Sequence, residues 1–196
     1  MGLVAAVALF IAVIRALPGF LTPTKPINAP VLAIEGWASE HSLRRAFELE
    51  KEHHYKLVII TGGPIEKGMN ISSYETYANL GFSRLRELGF PNTNIVSVPG
   101  AKVPKDRTYH GALMLRDYLL KNTSYREVDL LGGGVHSRRS WLLFEIACRP
   151  DIKAGVISDM DEEFDPKNWW RNSYGVRGVL NEIIGYLYAR LAFRPD

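Results

Sequence analysis

The nine residues GGGVHSRRS, Gly132 to Ser140, follow an apolar run and place His136, Arg138 and Arg139 at the start of a helix. A histidine titrates near neutral pH, so His136 is a candidate general acid or base. Arginine's planar fork of donors matches a carboxylate or a phosphate. The location is nevertheless unfavourable for positive charge. A helix amino terminus already presents unpaired N–H groups and about half a positive charge. Something negative must therefore sit opposite. Two answers are open: a carboxylate of the chain (Glu35, Glu75 or Asp106) or an anionic group on a ligand. In the catalytic reading, Glu35 or Glu75 orients His136.

The surrounding pattern predicts how such residues would meet. PVLAIEG, YKLVIITGG, NIVSVPG, REVDLLGGG and IKAGVIS are short runs rich in β-branched or other apolar residues and read as strands. Between them lie helical stretches. SEHSLRRAFELEKEHH begins at a Ser39 cap, SYETYANLGFSRLRELGF stops at Gly89, and KDRTYHGALMLRDYLLKN carries Ala112, Leu115 and Leu119 on one face. WWRNSYGVRGVLNEIIGYLYARLAF reads as one long final helix. Strands alternating with helices predict an α/β, three-layer, Rossmann-like open parallel sheet of about five strands. Ligands bind such sheets outside the carboxyl ends of the strands. Collected there are Glu35, Gly36 and Trp37; Thr61, Gly62 and Gly63; Lys105, Asp106, Arg107 and Thr108; Gly133, Gly134 and His136; and Ser158 with Asp159. The glycines would let backbone approach a ligand. Lys105, Arg138 and Arg139 would hold its charge, with Asp106 and Thr108 beside them. The expectation is a positively biased anion site on one rim.

Other features exclude function classes. Among 196 residues the formal net charge is only +3, with no basic arm or stripe, which argues against nucleic-acid binding. No G-x-G-x-x-G, P-loop or nucleophile elbow is present. No metal site is expected. His53-His54 is a polar helix end, and DMDEEFDP lacks the glycine of a calcium loop. Asn70-Ile-Ser72 and Asn122-Thr-Ser124 match glycosylation triplets, which arise often by chance. Cys148, the single cysteine, lies in an apolar helical run and reads as an inert buried thiol.

The amino-terminal segment differs from the rest. Leu3 to Ile14 is unbroken apolar sequence, and the run reaches Leu21 with one charge, Arg15. That is the lower end of membrane-spanning length. No small-x-small cleavage site follows it. The expected organisation is an N-terminal hydrophobic helix as single-pass anchor over 1–22, a proline-rich linker over 23–29 and an α/β domain over 30–196. Oligomeric state has no sequence signal.

From about Ala29 to Phe193 the chain resembles the SanA–ElyC–YdcF superfamily of bacterial envelope proteins. The matching pieces, in order, are AIEGW, TGG, a helix with an early glutamate (Glu75), GFPNTNIVSVP, KDRTYHGALML, VHSRRS in place of the family's His-x-x-Arg, and a Trp- and Glu-containing last helix. Two departures stand out. Asp106-Arg107-Thr108-Tyr109-His110 replaces an Asn-Thr-x-Glu-Asn element, and EGW replaces leucine-glycine-glycine. The resemblance implies a membrane-anchored envelope protein with its domain outside the cytoplasm, tied to polysaccharide or lipid-carrier metabolism. For YdcF-like members it implies S-adenosylmethionine binding. The expected function is a domain that binds, and in the catalytic reading processes, a phosphorylated or nucleotide-like anionic ligand. The alternatives are a non-catalytic S-adenosylmethionine binder and an envelope scaffold with a vestigial pocket.

Overall fold

A computed structural model describes residues 2–66, 73–90, 94–159 and 164–195. Five strands form one all-parallel sheet: β1 (Val31–Glu35), β2 (Leu57–Gly62), β3 (Ile95–Pro99), β4 (Glu127–Gly133) and β5 (Lys153–Asp159). Their order is β3-β2-β1-β4-β5. Among the described residues six α-helices accompany them: α1 (Gly2–Leu21), α2 (Glu40–His53), α3 (Tyr77–Glu87), α4 (Arg107–Asn122), α5 (Ser137–Cys148) and α6 (Ser173–Leu191). The α/β class, five parallel strands and apolar first helix are those the sequence pattern predicts.

Strand parity explains the three layers. Alternate strand residues point to opposite faces. Val31, Ala33, Leu57 and Ile59 pack with Leu115 and Leu119 of α4 and Phe144 of α5. Leu32, Ile34, Val58 and Ile60 pack with Leu43 and Leu49 of α2 and Leu85 of α3. Each strand is apolar on both sides because each side meets helices. Cys148 belongs to the first of these cores, and burial pushes its thiol up to about 12.

Two helix boundaries differ from the sequence expectation. Trp169 and Trp170 stand in a separate 3-10 turn, Pro166–Arg171, and α6 begins only at Ser173. The Asn172 side chain accepts from the Tyr174 N–H, which caps α6 and separates the two helices. Glu75 precedes α3 in a left-handed backbone conformation, while Thr76 caps the helix by accepting from the Asn79 N–H. The acidic stretch at 160–163 and the glycosylation triplet at 70–72 lie outside the described residues.

The proline-rich segment is fastened rather than free. Lys25 bridges Val156 on the open edge of β5, with N···O distances of 2.7 and 3.1 Å. The N–H groups of Ile27 and Ala29 donate to Asp129 at 2.8 and 2.9 Å. Asp129 is 1% exposed, and its carboxylate occupies the space beside Gly155. A buried carboxylate is stable only when its lone pairs are satisfied. Here the strap satisfies them, and it also covers a sheet edge that would otherwise invite pairing.

Replacing Asp129 by Ala should therefore orphan two backbone donors. The expected loss is roughly 3 kcal/mol, seen as a fall in Tm of about 10 °C. Calorimetry of the full chain in detergent checks it, and a Tm within about 2 °C of the parent would refute the clamp.

Candidate functional site

The sheet order reverses direction between β1 and β4, the place where open α/β sheets bind their ligands. Glu35 closes β1 there. Across from it β4 runs into a 3-10 turn, Gly134–His136, that leads directly into α5. Glycine is required at two places. Gly134 has φ +50°, and a Cβ on Gly132 would lie 2.6 Å from Ser137 Oγ. Ser137 Oγ donates to the Gly134 carbonyl at 2.7 Å and locks the turn.

His136 is held through one ring nitrogen. Its Nδ1 lies 2.9 Å from Glu182 Oε1, a residue of α6. Arg139 grips the same carboxylate with both fork positions, Nε to Oε2 at 2.8 Å and Nη2 to Oε1 at 2.9 Å. Arg139 Nη2, which can only donate, also lies 2.8 Å from Nδ1, so the carboxylate and the guanidinium compete for that nitrogen. Nε2 is buried and has no hydrogen-bond partner. It faces Glu35 Oε2 at 4.0 Å, beyond hydrogen-bond reach. Glu35 is itself fixed by the Ser140 hydroxyl at 2.8 Å. The Trp37 ring stands edge-on against the imidazole, centroids 4.9 Å apart. Burial pushes the Glu182 carboxyl up, but hydrogen bonds and charge from His136 and Arg139 outweigh it and bring it down to about 2.

A second histidine–carboxylate contact borders the switch point. Gly133 pairs in register with Asp159 at the end of β5. His41 of α2 approaches Asp159 Oδ1 at 3.2 Å, and the buried Oδ2 has no partner. Among the described residues, no group of three or more His, Cys, Asp or Glu is arranged to hold a metal ion.

The structure brings Glu35, Gly133, Gly134, His136 and Arg139 together and takes other expected site residues elsewhere. The negative partner of Arg139 is Glu182, not Glu35, Glu75 or Asp106. Arg138 donates to the Phe20 carbonyl and stacks over that ring at 4.0 Å. Lys105 is exposed and 3.9 Å from Asp106, and Arg107 pairs with Glu66 at 3.0 Å. Lys105, Asp106 and Thr108 follow β3, three strand spacings or about 14 Å from β4. Glu75 is exposed in its loop. Thr61 is buried under α4, with its Oγ1 3.7 Å from a Cβ built on Gly111.

The glycines divide as well. A Cβ on Gly36 would sit 2.2 Å from the Tyr77 carbonyl oxygen, and one on Gly62 2.8 Å from the Ala78 nitrogen. These two let the first turn of α3 press onto the strand ends. A Cβ on Gly63 or Gly133 would meet only ordinary van der Waals contacts, at 3.5 and 3.9 Å. With the space over Gly36 and Gly62 filled, these residues do not fit an adenosyl cofactor approaching the β1 and β2 ends. Glu182 has one sequence signal: it is the only acidic residue in α6. An isolated charge in a largely apolar helix needs a buried partner.

No protein-family model matches the chain, and no curated protein matches it significantly.

Glu182 makes stability pH-dependent with a definite sign. Its folded value lies below its ordinary 4.5, so the stabilisation is fully present above about pH 4.5 and is lost as pH falls through about 2. In denaturant unfolding, Glu182→Gln should be less stable than the parent at neutral pH. The gap should close as the solution is acidified through that window, and a pH-independent gap would refute the ionised pair.

Proposed function

We propose that the chain is a membrane-anchored enzyme of the cell envelope that binds a small phosphorylated ligand in the β1/β4 crevice and moves a proton at it through His136. The observation that carries this reading is the imidazole itself. One nitrogen lies within hydrogen-bond distance of Glu182 and Arg139, and the other is buried without a hydrogen-bond partner, 4.0 Å from Glu35. A structural histidine satisfies both nitrogens. A general base keeps one available and has a third group to orient it.

The division of labour follows from charge. Glu35 and Asp159 repel a ligand's anionic group from their side of the crevice. The backbone N–H groups of the turn after β4 receive it instead. A ligand hydroxyl or attacking water then lies between Glu35 and His136. Nε2 takes its proton, and the imidazolium formed is stabilised by Glu182 on one side and Glu35 on the other. The proton returns to the departing oxygen. Arg139 keeps Glu182 ionised throughout. Anion recognition here rests on backbone donors, because the described arginines and lysine expected to serve are engaged elsewhere. α1 is long and apolar enough to cross a membrane by length and composition, which supports the anchor. The envelope assignment, with the domain outside the cytoplasm, rests on the SanA–ElyC–YdcF resemblance.

Phosphate release from a panel of phosphorylated sugars and lipid-carrier phosphates, with the full chain in detergent, tests the proposal. On any substrate found, His136→Ala should lower kcat by about 10²- to 10⁴-fold, together with a fall in Tm because Glu182 loses one of its partners. Glu182→Gln should lower kcat and displace the pH profile. A His136→Ala variant as active as the parent would remove His136 as the acid–base group.

A further inference from the structure

The outward face of α6 is apolar and uncovered. Leu180, Ile184, Leu187, Tyr188 and Leu191 fall at helical spacing on one side, with Ile184 66% and Leu191 69% exposed. Soluble monomers seldom leave so continuous a stripe bare. Its neighbours are cationic: Arg177, Arg190 and Arg194 are exposed around it, and the only acidic residue of α6, Glu182, points the other way into the site.

The stripe is also continuous with the first helix. Ile14, Leu17 and Leu21 of α1 pack against Val176, Val179 and Ile183 of α6 together with Phe164 and Trp169. Phe20 meets Tyr186 edge-on at 5.4 Å. The docked residues of α1 thus belong to the same apolar run that would enter a bilayer. Whatever depth that run reaches, the α6 face is carried to the membrane surface with it. The strap through Lys25, Ile27 and Ala29 leaves little slack between the helix and the domain.

We infer that the α6 stripe is an interfacial membrane-contact surface for anionic phospholipid, its leucines and isoleucine seated among acyl chains and its arginines on lipid phosphates. The inference rests on the anchor reading above. Lipid fits better than a second copy of the chain. In a two-fold dimer the patch meets itself, which would set these arginines against each other, and α6 offers no carboxylate but the inward Glu182 to offset them. Lysines or arginines flanking an apolar helix face are the pattern of a helix lying in the interface.

The test uses the full chain in vesicles of phosphatidylcholine with and without phosphatidylglycerol. Nitroxide labels go on variants with one added cysteine, Ile184→Cys and Leu187→Cys, with Val7→Cys on α1 and Glu48→Cys on α2 as references; the native Cys148 is buried and does not compete. The expected result is that labels at 184 and 187 relax with oxygen and not with a water-soluble nickel chelate, as at 7, whereas the label at 48 responds to nickel. Phosphatidylglycerol should deepen the 184 and 187 labels, and Arg177→Gln/Arg190→Gln should abolish that dependence. Nickel access at 184 and 187 equal to that at 48, with 7 still in lipid, overturns the inference and leaves the anchor standing. Nickel access at 7 as well removes both. Shielding from both reagents with spin–spin broadening shows a second copy on the stripe and overturns the lipid assignment. Indifference to phosphatidylglycerol overturns the role of the arginines.

Discussion

The Glu182 carboxylate is the interaction on which the arrangement of this protein turns. It is contributed by the last helix, yet its partners sit at the end of a central strand, 43 and 46 residues earlier. A mostly buried carboxylate is costly unless its oxygens are met by donors of good geometry. Arg139 supplies a two-point grip and His136 approaches the same carboxylate, so α6 has one favourable seating on α5. The same contacts fix the imidazole ring. Stability and site geometry therefore cannot be separated here: the group that docks the helix also holds the His136 ring.

Close packing at the strand ends narrows where a ligand can go. α3 presses on Gly36 and Gly62, and Gly81 of that helix lies equally close, its built Cβ 2.9 Å from Gly36 Cα. Backbone meets backbone, so neither side can give way as a flexible side chain would. The β1 and β2 ends are consequently part of the core. On the other side of the switch point Glu35, Trp37 and the turn that carries His136 come together. The site is thus offset toward β4, away from the midpoint of the rim.

Much of this was legible in the sequence, and the rest was hidden for identifiable reasons. Unbroken β-branched strands and alternating helices specify a parallel sheet because both faces must be apolar. Ser39 marks the start of α2 because a hydroxyl there meets an otherwise orphan N–H. His136 stands out because its turn follows a buried strand. By contrast, Glu182 acts across the fold, and no local periodicity encodes such a pairing. Gly36 and Gly62 look like ligand-approach glycines because a close helix and a close ligand impose the same steric demand. The linker reading of 23–29 follows from its prolines, while the Asp129 clamp depends on a buried residue a hundred positions away.

Arg138 and Arg139 show why composition at a helix start is a poor guide to charge at a site. Adjacent helical residues are about 100° apart around the axis, so two neighbouring guanidinium groups cannot share one target unless their stems bend together. Arg139 turns inward to Glu182, and Arg138 turns outward over Phe20, at the end of α1. The penalty of placing cations at a helix amino terminus is offset separately in each case, by a carboxylate for one and by a carbonyl and an aromatic face for the other. The pair therefore works as a fork between two elements, one arm holding Glu182 and His136 and the other securing the helix that precedes the domain. A phosphate seated at the adjacent turn would meet backbone donors and an imidazole, with both arginine heads already engaged.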